Sequence, residues 1–146
     1  MRRLTALGIL STTLLAATAV APPAQAAFKY PVELVNDQSF VGGDNPFWLN
    51  VDGCETGVAV DVRSMAAFNP RGGAFHGIRR FDCAEGAGSV TLSVSARFGD
   101  SGSNGTWAIV DSDGVLAGAH GAGQLVGEPI PDGIRDIYTG TVTVLG

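Results

Sequence analysis

The chain has 146 residues, with 14 acidic against 9 basic side chains and a net charge of −5. Its acidic balance works against phosphate-rich surfaces, so neither nucleic acid nor anionic membrane is an expected partner. Two cysteines and two histidines are too few to suggest a multi-ligand metal centre, and no cofactor is expected.

The first stretch, MRRLTALGILSTTLLAATAVAPPAQA, joins a basic start to an uncharged apolar run and a small-x-small end, Ala24-Gln25-Ala26. That is the pattern of a secretory signal peptide, cleaved between Ala26 and Ala27. The run is short for a membrane span and is followed by Pro22 and Pro23, so no membrane association is expected after cleavage. The expected mature protein is one extracellular domain, residues 27–146, with seven basic and fourteen acidic side chains and a net charge of −7. A single lysine, Lys29, against eight arginines points to a GC-rich bacterial genome.

Along that domain alternation recurs and helical periodicity does not. PVELVN (31–36) predicts a short first strand, PFWLNVDG (46–53) a second and GVAVDVRSMAAF (57–68) a third. After a turn at NPRGG, GAFHGIRRFDC (73–83) predicts another. SVTLSVSARF (89–98) is the clearest: Val90, Leu92, Val94, Ala96 and Phe98 fall on one face and Ser, Thr and Arg on the other. GDSGSNG (99–105) predicts a turn, TWAIVD (106–111) the returning strand and SDG (112–114) a second turn. EPIPDG (128–133) predicts a break, because Pro129 and Pro131 cannot sit in a central strand. DIYTGTVTV (136–144) predicts the last strand. About eight strands imply an all-β, single-domain antiparallel barrel, with a β-sandwich as the alternative.

Cys54 and Cys83 stand in a chain expected to meet an oxidising compartment. A disulfide is preferred over free thiols or half a metal site. Closing a loop of about 30 residues stabilises by roughly 3–4 kcal/mol on the chain-entropy view.

GVLAGAHGAGQLVG (114–127) is the densest glycine stretch. It is no dinucleotide loop: Gly121-Ala122-Gly123 lacks a third glycine at the right spacing, opens no helix and precedes no P-loop lysine. A linker would not carry Val115, Leu116, Leu125 and Val126. The stretch predicts a strand pair or one bent strand. Gly118, Gly121 and Gly123 would make room for bulky side chains such as Trp107 or Phe98.

Ile109-Val110, Gly114, Ala119 and Gly121 match a hairpin pattern of the dirigent and allene oxide cyclase-like superfamily, which they resemble, with Leu116 where an aromatic is usual and Asp111-Ser112-Asp113 replacing Gly-Gly-Thr. YTGTV (138–142) is similar to the closing strand of small secreted actinobacterial proteins of this kind. The resemblance covers about 35 residues of the last third. It implies an eight-stranded antiparallel barrel with a central cavity, often oligomeric, so a homo-oligomer is an expected partner. The superfamily's acid and base residues have no matching motif here.

His120 is the catalytic candidate and His76 a lesser one, since either could serve as a base beside a carboxylate. Neither nucleophile-elbow nor zinc-ligand spacing is present, so the expected metal site is none. Asp37 and Asp44, Asp111 and Asp113, and Asp132 and Asp136 are expected to be solvated turn carboxylates. Among the aromatics Phe47, Phe98, Trp48, Trp107 and Tyr138, mostly expected in the core, Trp107, Trp48 and Tyr138 are the candidates for ligand contact. The expected function is a non-catalytic barrel that binds a small hydrophobic ligand or a protein partner. The alternative is a small isomerase or cyclase acting on a hydrophobic substrate in the lumen. Ionisable groups with perturbed pKa converging on an open cavity would favour the second.

Overall fold

The computed structural model describes Ala21 and residues 26–145. The expected signal peptide therefore lies outside the described residues, apart from Ala21 and Ala26. Eight strands follow one another around a closed antiparallel barrel: β1 (Ala27–Ser39), β2 (Pro46–Leu49), β3 (Thr56–Asn69), β4 (Gly72–Cys83), β5 (Gly88–Gly99), β6 (Gly102–Gly114), β7 (His120–Ile130) and β8 (Gly133–Leu145). The order is a simple meander, and β1 closes on β8 over thirteen register pairs, from Ala27↔Leu145 to Ser39↔Gly133. The barrel is the architecture expected, and the sandwich alternative is excluded by the closure.

Alternation decides what faces inward. Val90, Leu92, Val94 and Ala96 of β5 are buried as their period-2 spacing requires. The lumen also takes Val32 and Leu34 from β1, Phe81 from β4, Trp107 from β6, Leu125 from β7 and Tyr138 from β8. Ser and Thr dominate the outer face of β5 and β8, where Ser95, Thr139 and Thr141 are exposed. Two bulges reset the phase. Register shifts between Asp61 and Arg63 on β3, and at Val110 on β6, leave Val62 and Val110 as exposed extra residues. On β3 this turns Ala66 and Phe68 into the lumen, although Ala59 and Asp61, of opposite parity, also face it.

Several boundaries differ from the sequence expectation. β1 begins at Ala27, because its first half pairs with β8 rather than with β2. Pro31 fits there, since β2 reaches only Leu34, Val35 and Asn36. The 99–105 turn shrinks to Asp100-Ser101, with β6 already begun at Gly102. SDG belongs to the end of β6, and the turn lies at 115–118, after Gly114 at φ +59°. The glycine-rich stretch is thus neither a strand pair nor one bent strand, but a strand end, a turn and then β7. Pro129 lies inside β7, opposite Ile134. It is tolerated because pairing with β6 has already ended at Ser103↔Gly127.

β2 is the weak seam of the wall. It meets β1 and β3 through three register pairs each. The Asn36 side chain reinforces it, donating to the carbonyls of Asn45 (3.3 Å) and Pro46 (3.0 Å). The Cys54–Cys83 disulfide is formed and ties the β2–β3 loop to the end of β4. Its Cα atoms are 5.1 Å apart, within the range a disulfide spans.

Candidate functional site: a charged floor in the barrel lumen

The lumen holds two cavities that share no lining residue. One opens where β1 ends and β8 begins and measures about 540 Å³. Its walls are apolar, with Phe75, Phe98, Val94, Leu125 and Ile134, and Phe40 and Phe68 stand at the exposed rim. Its floor is charged.

Arg79 sits at the centre of that floor. On β4 it shares the inward parity of Phe75 and Phe81, so the strand has no choice but to deliver it to the lumen. Its side chain is only 5% exposed. Nε donates to Asp61 Oδ1 at 2.6 Å; Nη1 donates to Asp136 Oδ2 at 2.9 Å and to the Tyr138 hydroxyl at 2.8 Å. Gln38 Nε2 donates to the same Asp136 oxygen, and the Tyr138 hydroxyl approaches it at 3.5 Å. The guanidinium carbon also lies 5.8 Å from the centre of the Phe75 ring. Four strands thus meet: β1 brings Gln38, β3 Asp61, β4 Arg79, and β8 both Asp136 and Tyr138.

Burial sets the electrostatics. Burial alone would weaken the Arg79 charge, but Tyr138, Asp61 and Asp136 surround it and push its pKa above the ordinary value. Burial lifts the Asp136 carboxyl above 3.8, because Arg79 is shared with other acceptors and only partly compensates. Burial likewise raises the Tyr138 hydroxyl against the opposing pull of Arg79, so it is a neutral phenol. Asp61 differs. Its side chain is 42% exposed and lines the cavity, so it keeps access to a ligand while one oxygen holds Arg79. Asn36 lies in register with Asp136, and its buried Oδ1 has no protein partner.

The second cavity, about 430 Å³, occupies the other end of the barrel, under the loops at 50–55 and 115–119. The Phe47, Phe81 and Tyr138 rings, stacked edge to face at 5.4 and 5.6 Å between centroids, fill the waist nearby.

The structure scatters the sequence candidates. Trp107 and Tyr138 face the lumen and line the second cavity, as ligand contact would require. Trp48 does not: it is 46% exposed on the outer face of β2, because its inward neighbours Phe47 and Leu49 take the opposite parity. His120 is exposed at the start of β7, and its neighbours in register place it outside the lumen, so it cannot serve as a lumenal base. His76 is exposed on the outside of β4. Asp136, expected as a solvated turn carboxylate, is buried in β8. Among the described residues no group of three or more His, Cys, Asp or Glu could hold a metal ion. Sequence reasoning missed Arg79, Asp61 and Gln38. The available signal was parity: Arg79 falls on the face of Phe81 and Cys83, and Asp136 on the face of Tyr138.

The fold and site define a closed eight-stranded antiparallel barrel with an apolar lumen and a buried arginine–carboxylate cluster. No protein-family model matches the chain, and no curated protein matches its sequence.

Proposed function

We propose that the protein is a secreted, non-catalytic barrel that holds a small, mainly apolar molecule with one hydrogen-bonding end. The observation that carries this reading is the 540 Å³ cavity, whose apolar walls converge on Asp61, Arg79 and Asp136. Binding sites commonly combine an apolar lining with a few placed polar groups in a volume of roughly 300–1,000 Å³. Asp61 is the half-exposed member and accepts a hydroxyl or N–H of the ligand. Phe40 and Phe68 at the rim, with Phe98 in the wall, cover the apolar body. Export is supported by the leader pattern and by the disulfide, a bond that persists in oxidising compartments. The closed barrel also supports kinship with the dirigent and allene oxide cyclase-like proteins.

N-phenyl-1-naphthylamine tests the binding. It is neutral and aromatic and has one N–H. Saturable fluorescence enhancement is expected. Asp61→Asn should weaken binding about ten-fold, the effect of losing one hydrogen bond to a charged group. Ala96→Phe, which fills the chamber, should abolish it. Enhancement unaffected by both substitutions sinks the reading.

One observation favours a second reading, an isomerase or cyclase: a carboxyl held above its ordinary pKa and a solvated carboxylate converge on the same cavity. Native mass spectrometry of protein secreted by its own host identifies the retained ligand. Incubating that ligand with the protein then separates the readings. Recovery unchanged supports a binder, and conversion to an isomer of equal mass supports the enzyme.

A further inference from the structure

The cavity at the opposite end of the barrel differs in its chemistry. Its depth is walled by Val90, Leu92, Ile109, Val142 and Trp107. Trp107 and Tyr138, the buried polar side chains of this wall, have their hydrogen bonds committed elsewhere. Trp107 Nε1 donates to the carbonyls of Gln124 at 3.1 Å and Thr139 at 3.2 Å. The Tyr138 hydroxyl is held by Arg79, on the side of the other chamber. A ligand carrying a polar group into this depth would lose its hydration with no replacement.

Other polar side chains line the mouth, the exposed part of the cavity: Tyr30, 50% exposed, Asn50 and Asp52. Asn50 is already engaged, its Oδ1 accepting from Glu33 N at 2.8 Å and its Nδ2 donating to the Pro31 carbonyl at 3.4 Å. Asp52 is exposed and is the charged residue of the lining. A carboxylate there repels an anionic head and tolerates a neutral or cationic one. Leu116 and Ala119, buried in the 115–119 turn, close over the same mouth. Their turn is held by Leu116 N to Asp113 O at 3.1 Å and Ala119 N to Ser112 Oγ at 3.2 Å.

We infer that this chamber is a second ligand site, which takes an alkyl chain with a neutral or cationic head placed at Asp52. It is independent of the polar-floored site, since the two chambers share no lining residue.

Trp107 reports occupancy directly, once the exposed Trp48 is replaced in a Trp48→Phe background. The probes are 1-octanol, octylamine and octanoate, each added below its micelle concentration. Octanol and octylamine should shift Trp107 emission saturably, and octanoate should bind about five-fold more weakly, the size of one water-screened charge repulsion. Asp52→Asn should remove that difference. Ile109→Phe, which fills the chamber, should abolish the octanol response while N-phenyl-1-naphthylamine still binds at the other end, which also shows that the variant folds. Val142→Phe takes its place if Ile109→Phe does not fold. An absent octanol response, octanoate binding as tightly as octanol, or octanol binding unchanged in the filled variant overturns the proposal. If octanol binds and the naphthylamine does not, the polar-floored reading fails and this one stands.

Discussion

Arg79 has the largest stake of any single side chain. It pairs with the buried Asp136 and the half-exposed Asp61, and it holds β3, β4 and β8 together through their side chains. Replacing it with leucine leaves Asp136 buried without its cation. Arg79→Leu should cost about 3–5 kcal/mol at neutral pH, read as a lower urea midpoint. Asp136 makes a separate, signed prediction. Its folded pKa is raised above 3.8, so the folded state favours the protonated form more than the unfolded chain does. The stability this contributes is fully present below 3.8 and is lost as pH rises through the folded pKa. Asp136→Asn cannot titrate. The stability of the natural protein relative to Asp136→Asn should therefore fall as pH rises from 3 to 7. A difference that grows with pH would show that Arg79, not burial, dominates this carboxyl.

At the level of elements, the β7–β8 pair shows what its glycines do. Gly123 and Gly140 stand opposite each other, and Trp107 is in register with Gly123 from the β6 side. A Cβ on Gly140 would come within 2.8 Å of Trp107 Cζ2 and of the Gly123 Cα. The indole can therefore lie across two strands and bond the carbonyls of Gln124 and Thr139 because Gly140 lacks a side chain. Gly140→Val should destabilise by ~1–3 kcal/mol, with a shift in Trp107 emission as the ring is displaced. The expectation of close approach held for Gly123 and Gly121, but against the β8 backbone and Val142 rather than a bulky ring: an added Cβ would meet the Thr139 carbonyl at Gly123 and Val142 Cγ2, at 2.9 Å, at Gly121. It was wrong for Gly118, which has open space around it and is there for its φ of +75° in the turn. Phe98 was the wrong partner, since it pairs with Ser103 and Gly73 toward the other end of the barrel.

For the molecule as a whole, the disulfide secures the part of the wall with the fewest pairings, where β2 supplies only four residues. Cys54→Ala/Cys83→Ala should lower the unfolding free energy by roughly 3–4 kcal/mol, measured by urea titration against the oxidised protein. The barrel as a class was legible in the sequence alone. Alternation in 89–98 assigns a wet and a dry face by itself, because side chains on a strand change sides at every residue. The two cysteines and the expected oxidising compartment were enough to pair Cys54 with Cys83. The charged floor was not legible. Asp61, Arg79 and Asp136 are 18 and 57 residues apart along the chain, and each looks like an ordinary surface charge in its own segment. Their meeting depends on barrel closure, on strand register and on a bulge that turns Ala66 and Phe68 inward beside Asp61 on β3. Local sequence determines which way each side chain points from its own strand. Only the closed sheet determines what it then faces, because register and curvature arise from pairing all eight strands at once.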